Sequence, residues 1–346
     1  MITTLITTYH RPQLLKRAVE SVLKQTYPHF KVCVYDNGSD DETKAIMKEF
    51  EKQDSRVFYH RHPENIGMMN NYAYAFSKID TPYFSFLSDD DYLYPCFYET
   101  ALQGFTEFPD AAFSACGIKG ANDKDEVIAT SLIGWERNGY YTSTDAIFEM
   151  IEKKGWFPIP TGVLFQQKFV KDISPDWSKD IQLMWDPDYL LQIAARFPVV
   201  INKKECGFYY IHEQSFASSY YLQLNESSQQ LDGFMIANHK MHQRLMQIPS
   251  LTPAFKKRVN LAFINLIGKY VKGLVVQYIL KDKPDEATYA ARSFYNFYGS
   301  NKYSRILLAL TKTYEGVPCI RPPLRNLVLY LKKGKSILTK LIKKLK

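Results

Sequence analysis

The sequence predicts an α/β fold, a mostly parallel sheet flanked by helices and followed by a C-terminal helical region. Three observations carry this. Over residues 1–95, short apolar runs of strand character alternate with segments whose apolar residues recur at helical spacing. A polar or turn-forming cluster closes each run. The chain has 346 residues and is 46% hydrophobic, enough for one large α/β domain with an appendage or for two domains.

The elements follow in order. Ile2–Thr8 reads as a first strand, with Ile2, Leu5 and Ile6 buried; no positive or long apolar leader occupies residues 1–9. Leu14, Leu15, Ala18, Val19, Val22 and Leu23 then repeat as one face of a helix that Thr26-Tyr27-Pro28 ends. Residues 31–35 form a second strand, stopped by Asp36-Asn37-Gly38-Ser39-Asp40-Asp41, which is both a turn and the start of a helix through Phe50. Residues 57–60 form a third strand, Asn65-Ile66-Gly67 a turn, and residues 68–77 a helix. Residues 84–88 are a fourth, buried strand. Strands alternating with helices give a parallel, right-handed sheet.

The fourth strand ends in Asp89-Asp90-Asp91. Three adjacent carboxylates repel one another, and a cation among them relieves the strain. Hard oxygen donors suit Mg²⁺ or Mn²⁺, with substrate phosphates completing the shell. A solvated acidic turn or helix cap accounts for the run equally well until its place is considered, because ligands of open α/β sheets bind beyond the strands' carboxyl ends. Thr7, Thr8 and Tyr9, Asp36 and Asn37, and Asn65 and Gly67 collect at that same edge. No G-x-x-x-x-G-K-[ST] or G-x-G-x-x-G segment is present, which disfavours a P-loop or a dinucleotide fingerprint.

Beyond Pro95 the pattern loosens. Residues 111–117 and 163–165 read as strands, residues 123–141 as a polar acceptor loop, and Trp156 as a sugar platform or a packing plug. Met184-Trp185-Asp186-Pro187-Asp188 opens a buried helix through Ala194, where Asp before Pro makes a good N-cap. Residues 228–313 are helical in pattern; Lys269 and Lys272 interrupt their most apolar window, 261–280, so a buried or interfacial helix is expected there. Residues 324–346 carry eight Lys or Arg and no Asp or Glu. That tail accounts for the whole formal charge of +8 and leaves the rest neutral, which excludes a uniformly basic nucleic-acid binder. Its leucines recur every three to four residues, the pattern of a helix lying on anionic lipid or packed on its own domain. Five scattered cysteines without a C-x-x-C pair indicate a reducing compartment.

Several segments together resemble the opening of a family 2 glycosyltransferase, an inverting family with the GT-A fold. They are Thr7-Thr8-Tyr9-His10-Arg11-Pro12, Leu14-Leu15-Lys16-Arg17-Ala18, Gln25-Thr26-Tyr27-Pro28, Val34-Tyr35-Asp36-Asn37-Gly38-Ser39-Asp40-Asp41, Asn65-x-Gly67 and Asp89-Asp90-Asp91-Tyr92-Leu93-x-Pro95. The resemblance covers residues 1–220 and implies a catalytic domain there, a helical region over 221–320 and a basic tail over 321–346. It implies that Thr7, Thr8, Tyr9, Arg11, Asp36, Asn37, Asn65, Gly67, Asn70 and Asp89 hold the nucleotide. Asp90, Asp91 and His212 hold Mg²⁺ or Mn²⁺, with Asp90 the direct ligand and Asp89 on the ribose or a water of the cation. Asp186 is the general base and Asp188 the fallback. His10 departs from the usual Asn, Asn37 from a frequent Asp, and Ser88 from the first Asp of a D-x-D.

The implied activity is metal-dependent transfer of a hexosyl group from a nucleoside-diphosphate sugar, UDP ahead of GDP or dTDP. The acceptor is a hydroxyl of a glycan or lipid-linked acceptor in surface-glycan or lipopolysaccharide-type synthesis, with the enzyme cytoplasmic and peripheral to the inner face of the membrane. Two rivals are weighed. A nucleotidyltransferase usually wants a Gly- and Lys/Arg-rich first loop, which Thr7–Pro12 lacks; a non-catalytic sugar-binding relative would not need Asp90, Asp186 and His212 together.

Overall fold

The computed structural model describes residues 1–121, 126–153, 157–212, 215, 219–220, 223–225 and 227–316. Its first half follows the alternation in the sequence. Strands β1 (Ile2–Thr8), β2 (Phe30–Asp36), β3 (Val57–Arg61) and β4 (Tyr83–Ser88) lie in the order β3-β2-β1-β4, all parallel. Helices α1 (Pro12–Leu23), α2 (Thr43–Gln53) and α3 (Met68–Ser77) connect them. The chain steps outward from β1 through β2 to β3, then returns to β1's other side as β4. That reversal opens a crevice beyond the carboxyl ends of β1 and β4. The core-facing stripe of α1 is Leu15, Ala18, Val19 and Val22, all fully buried against Ile2, Ile6 and Val32 of the sheet. Truncating such a residue, as in Leu15→Ala, costs about 2–5 kcal/mol.

The second half of the sheet is mixed. Strand β5 (Tyr92–Leu93) precedes helix α4 (Phe97–Glu107). The strands that follow are β6 (Phe113–Ala121), β7 (Val127–Thr130), β8 (Gly139–Tyr141), β9 (Val163–Gln166) and β10 (Val199–Tyr210). Here β9 pairs antiparallel with both β4 and β6, and β10 runs parallel to β6 but antiparallel to β5 and β8. Parallel pairing is therefore the rule before Asp89 and the exception after it. The 12-residue β10 has no clean signal in the sequence. Asn202-Lys203-Lys204-Glu205 breaks its apolar run, and the register shifts twice there. Gly117 and Gly207 admit this crossing: a Cβ at Gly117 would meet the Lys203 carbonyl at 2.7 Å, and one at Gly207 the Ile118 side chain at 2.8 Å.

Short helices α5 (Ser143–Phe148), α6 (Gln167–Val170) and α7 (Trp185–Ala194) complete this part, and α8 (Leu231–Met246), α9 (Pro253–Leu280), α10 (Pro284–Tyr298) and α11 (Lys302–Gly316) follow. The chain forms two compact units. One comprises Met1–Ser215 with Lys240–Val259; the other comprises Phe216–His239 with the chain from Asn260 onward. In the second, Gly268 lets α9 meet Tyr303 of α11 closely, and Tyr314 donates to Asp282 at 2.7 Å. By length and composition α9 can cross a membrane; 44% of its most apolar window is buried within the protein, while Lys269 and Lys272 are exposed.

Candidate active site

The register of β1 against β4 builds the first part of the site. Thr7 is paired with Ser88, so Thr8 and Asp89 leave the sheet side by side. Thr8 Oγ1 donates to Asp89 Oδ2 at 2.7 Å. Burial and the neighbouring Asp90 charge raise the Asp89 carboxyl to about 6. Tyr9 stands 43% exposed at the rim. His10 has φ 54°, a left-handed conformation that Asn, Asp and His tolerate better than most residues. That is a backbone reason for His where Asn is usual.

Loops after β2 and β3 form a second wall. Asp36 is fully buried. Its Oδ1 accepts from the Ser39 amide at 2.9 Å and hydroxyl at 2.6 Å, and its Oδ2 from the Tyr59 hydroxyl at 2.6 Å. The carboxylate thus braces the turn in this conformation. Asn37 donates to Asn65 Oδ1 at 2.8 Å and accepts from the Ile66 amide at 2.9 Å, locking the two loops together. Gly67 has φ 87° at the start of α3, and Asn70, exposed in its first turn, donates to the Ile66 carbonyl at 2.7 Å. Gly38 also has φ 87°, and a Cβ there would lie 2.6 Å from the Glu64 backbone.

The three aspartates divide. Asp91 accepts from the Thr161 hydroxyl and, at 3.0 Å, from the Tyr210 amide, so both its oxygens serve the β4–β10 scaffold. Asp90 Oδ2 lies 2.8 Å from Arg11 Nη1 and 3.0 Å from His212 Nε2. The same Arg11 nitrogen reaches Asp89 Oδ1 at 3.1 Å. Arg17 donates to the Asp90 carbonyl and rests over the rings of Tyr92 and Tyr210, 5.1 and 5.3 Å from their centroids. His212 stacks on Tyr210 at 4.7 Å. Among the described residues no group of three or more His, Cys, Asp or Glu is arranged to hold a metal ion on its own. The convergent pair Asp90 and His212 fits a cation that completes its shell with phosphate oxygens.

The carboxylates at the start of α7 also part ways. Asp188 is fully buried, with Oδ2 at 3.0 Å from Arg244 Nε. Asp186 is partly buried and has no such partner among the described residues; burial lifts its carboxyl to about 7. The link to the acidic run is Tyr72 of α3. Burial pushes its hydroxyl up to about 12, and the charges of Asp89, Asp90 and Asp186 raise it too. Its ring lies 4.9 Å from that of Trp185, which in turn packs on Phe86 and Trp177. Tyr72, Arg17 and Thr161 are absent from the sequence-level site. Arg17 was visible only as part of a motif, Tyr72 only as a helix residue, and nothing local marks Thr161. Trp156 and the tail 324–346 lie outside the described residues, as do parts of 123–141.

With the geometry in place, the comparisons identify the class. The family model "Glycosyl transferase family 2" matches residues 3–174, and the chain belongs to that family. Its fold is GT-A. A solved structure of S. aureus TarS 1-349 in complex with UDP-GlcNAc superposes with a TM-score of 0.61 over 91% of each chain, at 16% identity. The mannosyltransferase PcManGT from Pyrobaculum calidifontis, in complex with GDP-Man and Mn²⁺, gives 0.53 over 95% of this chain and 84% of its own, at 12% identity. A GalNAc(5)-diNAcBac-PP-undecaprenol beta-1,3-glucosyltransferase of Campylobacter jejuni is 26% identical over 34% of this chain and 38% of its own length. The chain spans between 15% and 38% of the length of the first curated relatives it matches.

Proposed function

We propose that this protein is an inverting, metal-dependent glycosyltransferase that moves a hexosyl group from a nucleoside-diphosphate sugar to an acceptor hydroxyl. The observation that carries the reading is the pair of differently treated carboxylates. Asp90 converges with His212 at the edge of β4, while Asp186, whose charge reaches Tyr72, has no cationic partner among the described residues and a carboxyl raised to about 7. A base that titrates near the working pH is suited to general base catalysis. Asp188, buried against Arg244, is not so placed.

Thr7, Thr8, Tyr9, Arg11, Asp36, Asn37, Asn65, Gly67, Asn70 and Asp89 form the nucleotide wall. Asp90 and His212 would hold Mg²⁺ or Mn²⁺, and Asp91 keeps the run in place through Thr161 and Tyr210. A bound divalent ion supplies compensation for charge growing on the leaving diphosphate. Asp186 takes the acceptor proton as the hydroxyl attacks the anomeric carbon. One displacement inverts that carbon, as two carboxyl groups do in inverting glycosidases without a covalent intermediate. UDP is the first choice of nucleotide, a choice the UDP-GlcNAc-bound neighbour supports. A lipid-linked acceptor agrees with the printed name of the C. jejuni relative, and the basic tail would hold the enzyme on the inner membrane face.

A donor screen tests this. Nucleoside-diphosphate release is measured with UDP-, GDP- and dTDP-sugars, each with Mn²⁺, Mg²⁺ or EDTA. The expected result is cation-dependent release from one nucleotide class, UDP first. Release of pyrophosphate instead would make the protein a nucleotidyltransferase, and no cleavage of any donor would remove the enzymatic reading.

A further inference from the structure

We propose that Arg11 is a positioning residue that competes with the divalent cation. Resting on the reading of the site given above, it holds Asp89 and Asp90 while the site is empty and transfers to the diphosphate when donor and cation bind.

Asp90 Oδ2 accepts from Arg11 Nη1 at 2.8 Å and lies 3.0 Å from His212 Nε2. A carboxylate oxygen held by a guanidinium has given a lone pair that a cation would otherwise take. Asp90 Oδ1 makes no hydrogen bond among the described residues, so it is the oxygen open to a cation, on the same carboxyl group that the guanidinium holds. Asp89 holds Thr8 and the same Arg11 nitrogen, and Asp91 holds Thr161 and Tyr210. A divalent ion entering at Asp90 therefore meets a guanidinium already seated there, and the two positive charges repel.

The two partners of Oδ2 differ in how readily they can leave. His212 is held by its stack on Tyr210, and the Asp90 backbone is pinned by Arg17. Arg11 sits outside any helix or strand interior, between His10 at φ 54° and Pro12 at the start of α1, with a side chain 29% exposed. A long side chain on a loop is the part able to move. Its planar fork matches a phosphate as well as it matches a carboxylate, so a diphosphate gives it a second partner of the same charge.

Cation and nucleotide should then bind with mutual reinforcement. Each removes an obstacle to the other, and by linkage the gain is equal in both directions. Free protein should take up the cation weakly, because Arg11 must first be displaced from Asp89 and Asp90.

Manganese binding followed by electron paramagnetic resonance, without turnover, tests this. Mn²⁺ is titrated into wild type, Arg11→Gln and Arg11→Lys, with and without UDP. The expected result is that Arg11→Gln binds Mn²⁺ alone about tenfold more tightly than wild type. UDP should then add less Mn²⁺ affinity to Arg11→Gln than it adds to wild type. Arg11→Lys keeps the charge and should stay close to wild type toward Mn²⁺ alone. Equal or weaker Mn²⁺ binding by Arg11→Gln overturns the competition. So does an equal gain in both variants, which would mean a loosened loop. Absence of Mn²⁺ binding in all three proteins even with UDP defeats the metal-dependent reading itself.

Discussion

Arg244 Nε lies 3.0 Å from Asp188 Oδ2, yet neither atom makes a well-aligned hydrogen bond. The pair is a buried charge contact between α8 and the start of α7. Burial outweighs Arg244's attraction and holds Asp188 up to about 6. Asp188 thus belongs to packing, two residues from the candidate base. Asp188→Asn should gain stability above about pH 6, because the fold already disfavours the charged carboxyl and Arg244 keeps Asp176 and the Ser174 carbonyl. Turnover per folded molecule should change little. Thermal melting beside activity checks this; lost turnover with an unchanged melt would move the base to Asp188.

Asp186→Asn should act on turnover instead. General base catalysis contributes about 10²–10⁴-fold, so kcat should fall by that factor with donor affinity nearly unchanged. A variant that loses donor binding along with kcat would show that Asp186 serves the donor.

The same carboxyl sets a pH dependence. It works as a base only when ionised, so kcat should rise with pH through about 7 and level above it. Stability carries the reverse sign. The folded-state value lies above the ordinary carboxylate value of about 3.9, so ionisation is disfavoured in the fold, and stability is lost as pH climbs from about 4 to about 7. Asp186→Asn, which cannot ionise, should gain stability relative to wild type over that window. Melts between pH 4 and 8 read this directly, and parallel curves would contradict the burial of Asp186.

Two glycines separate strain from space. Gly38 and Gly67 share φ 87°, but a Cβ at Gly38 would strike the Glu64 backbone at 2.6 Å while one at Gly67 meets nothing within 4 Å. Gly67→Ala should cost about 1–3 kcal/mol, the penalty of its positive-φ, extended-ψ conformation alone. Gly38→Ala should cost more and weaken nucleotide binding, because the Asp36–Asn37 loop must shift. Comparable melts for the two variants would refute this.

The parallel half of the fold was legible because each strand there is a clean apolar run ended by a turn cluster, as at Asp36 to Asp41. The antiparallel half was not. Its longest strand, β10, is bulged at Asn202 to Glu205, and β5 is two residues long. The candidate residues at the strand ends stand out by position alone, since the sheet's carboxyl edge is where ligands of such folds bind. What each carboxylate does is not legible that way, since that depends on distant partners. Thr161 and Tyr210 claim Asp91, Arg244 claims Asp188, and Tyr72 joins the acidic run to Asp186.

The basic tail makes a separate prediction. Basic residues near an anionic surface contribute about 1 kcal/mol each, within a Debye length of about 8 Å. The full chain should co-sediment with anionic vesicles at low salt and release at high salt, while a variant truncated after Pro323 should stay in solution. Equal partitioning of the two, or indifference to salt, would remove the anchor.

The central claim is that Asp90 and Asp186 are two poles of one nucleotide-sugar transfer site. Calorimetric binding of UDP in Mn²⁺, run beside nucleoside-diphosphate release on the same samples of wild type, Asp90→Asn and Asp186→Asn, tests it most directly. The account predicts that Asp90→Asn loses Mn²⁺-dependent UDP binding, whereas Asp186→Asn binds UDP as wild type does and loses only release. UDP bound with wild-type affinity by Asp90→Asn, or release undiminished in Asp186→Asn, would contradict it.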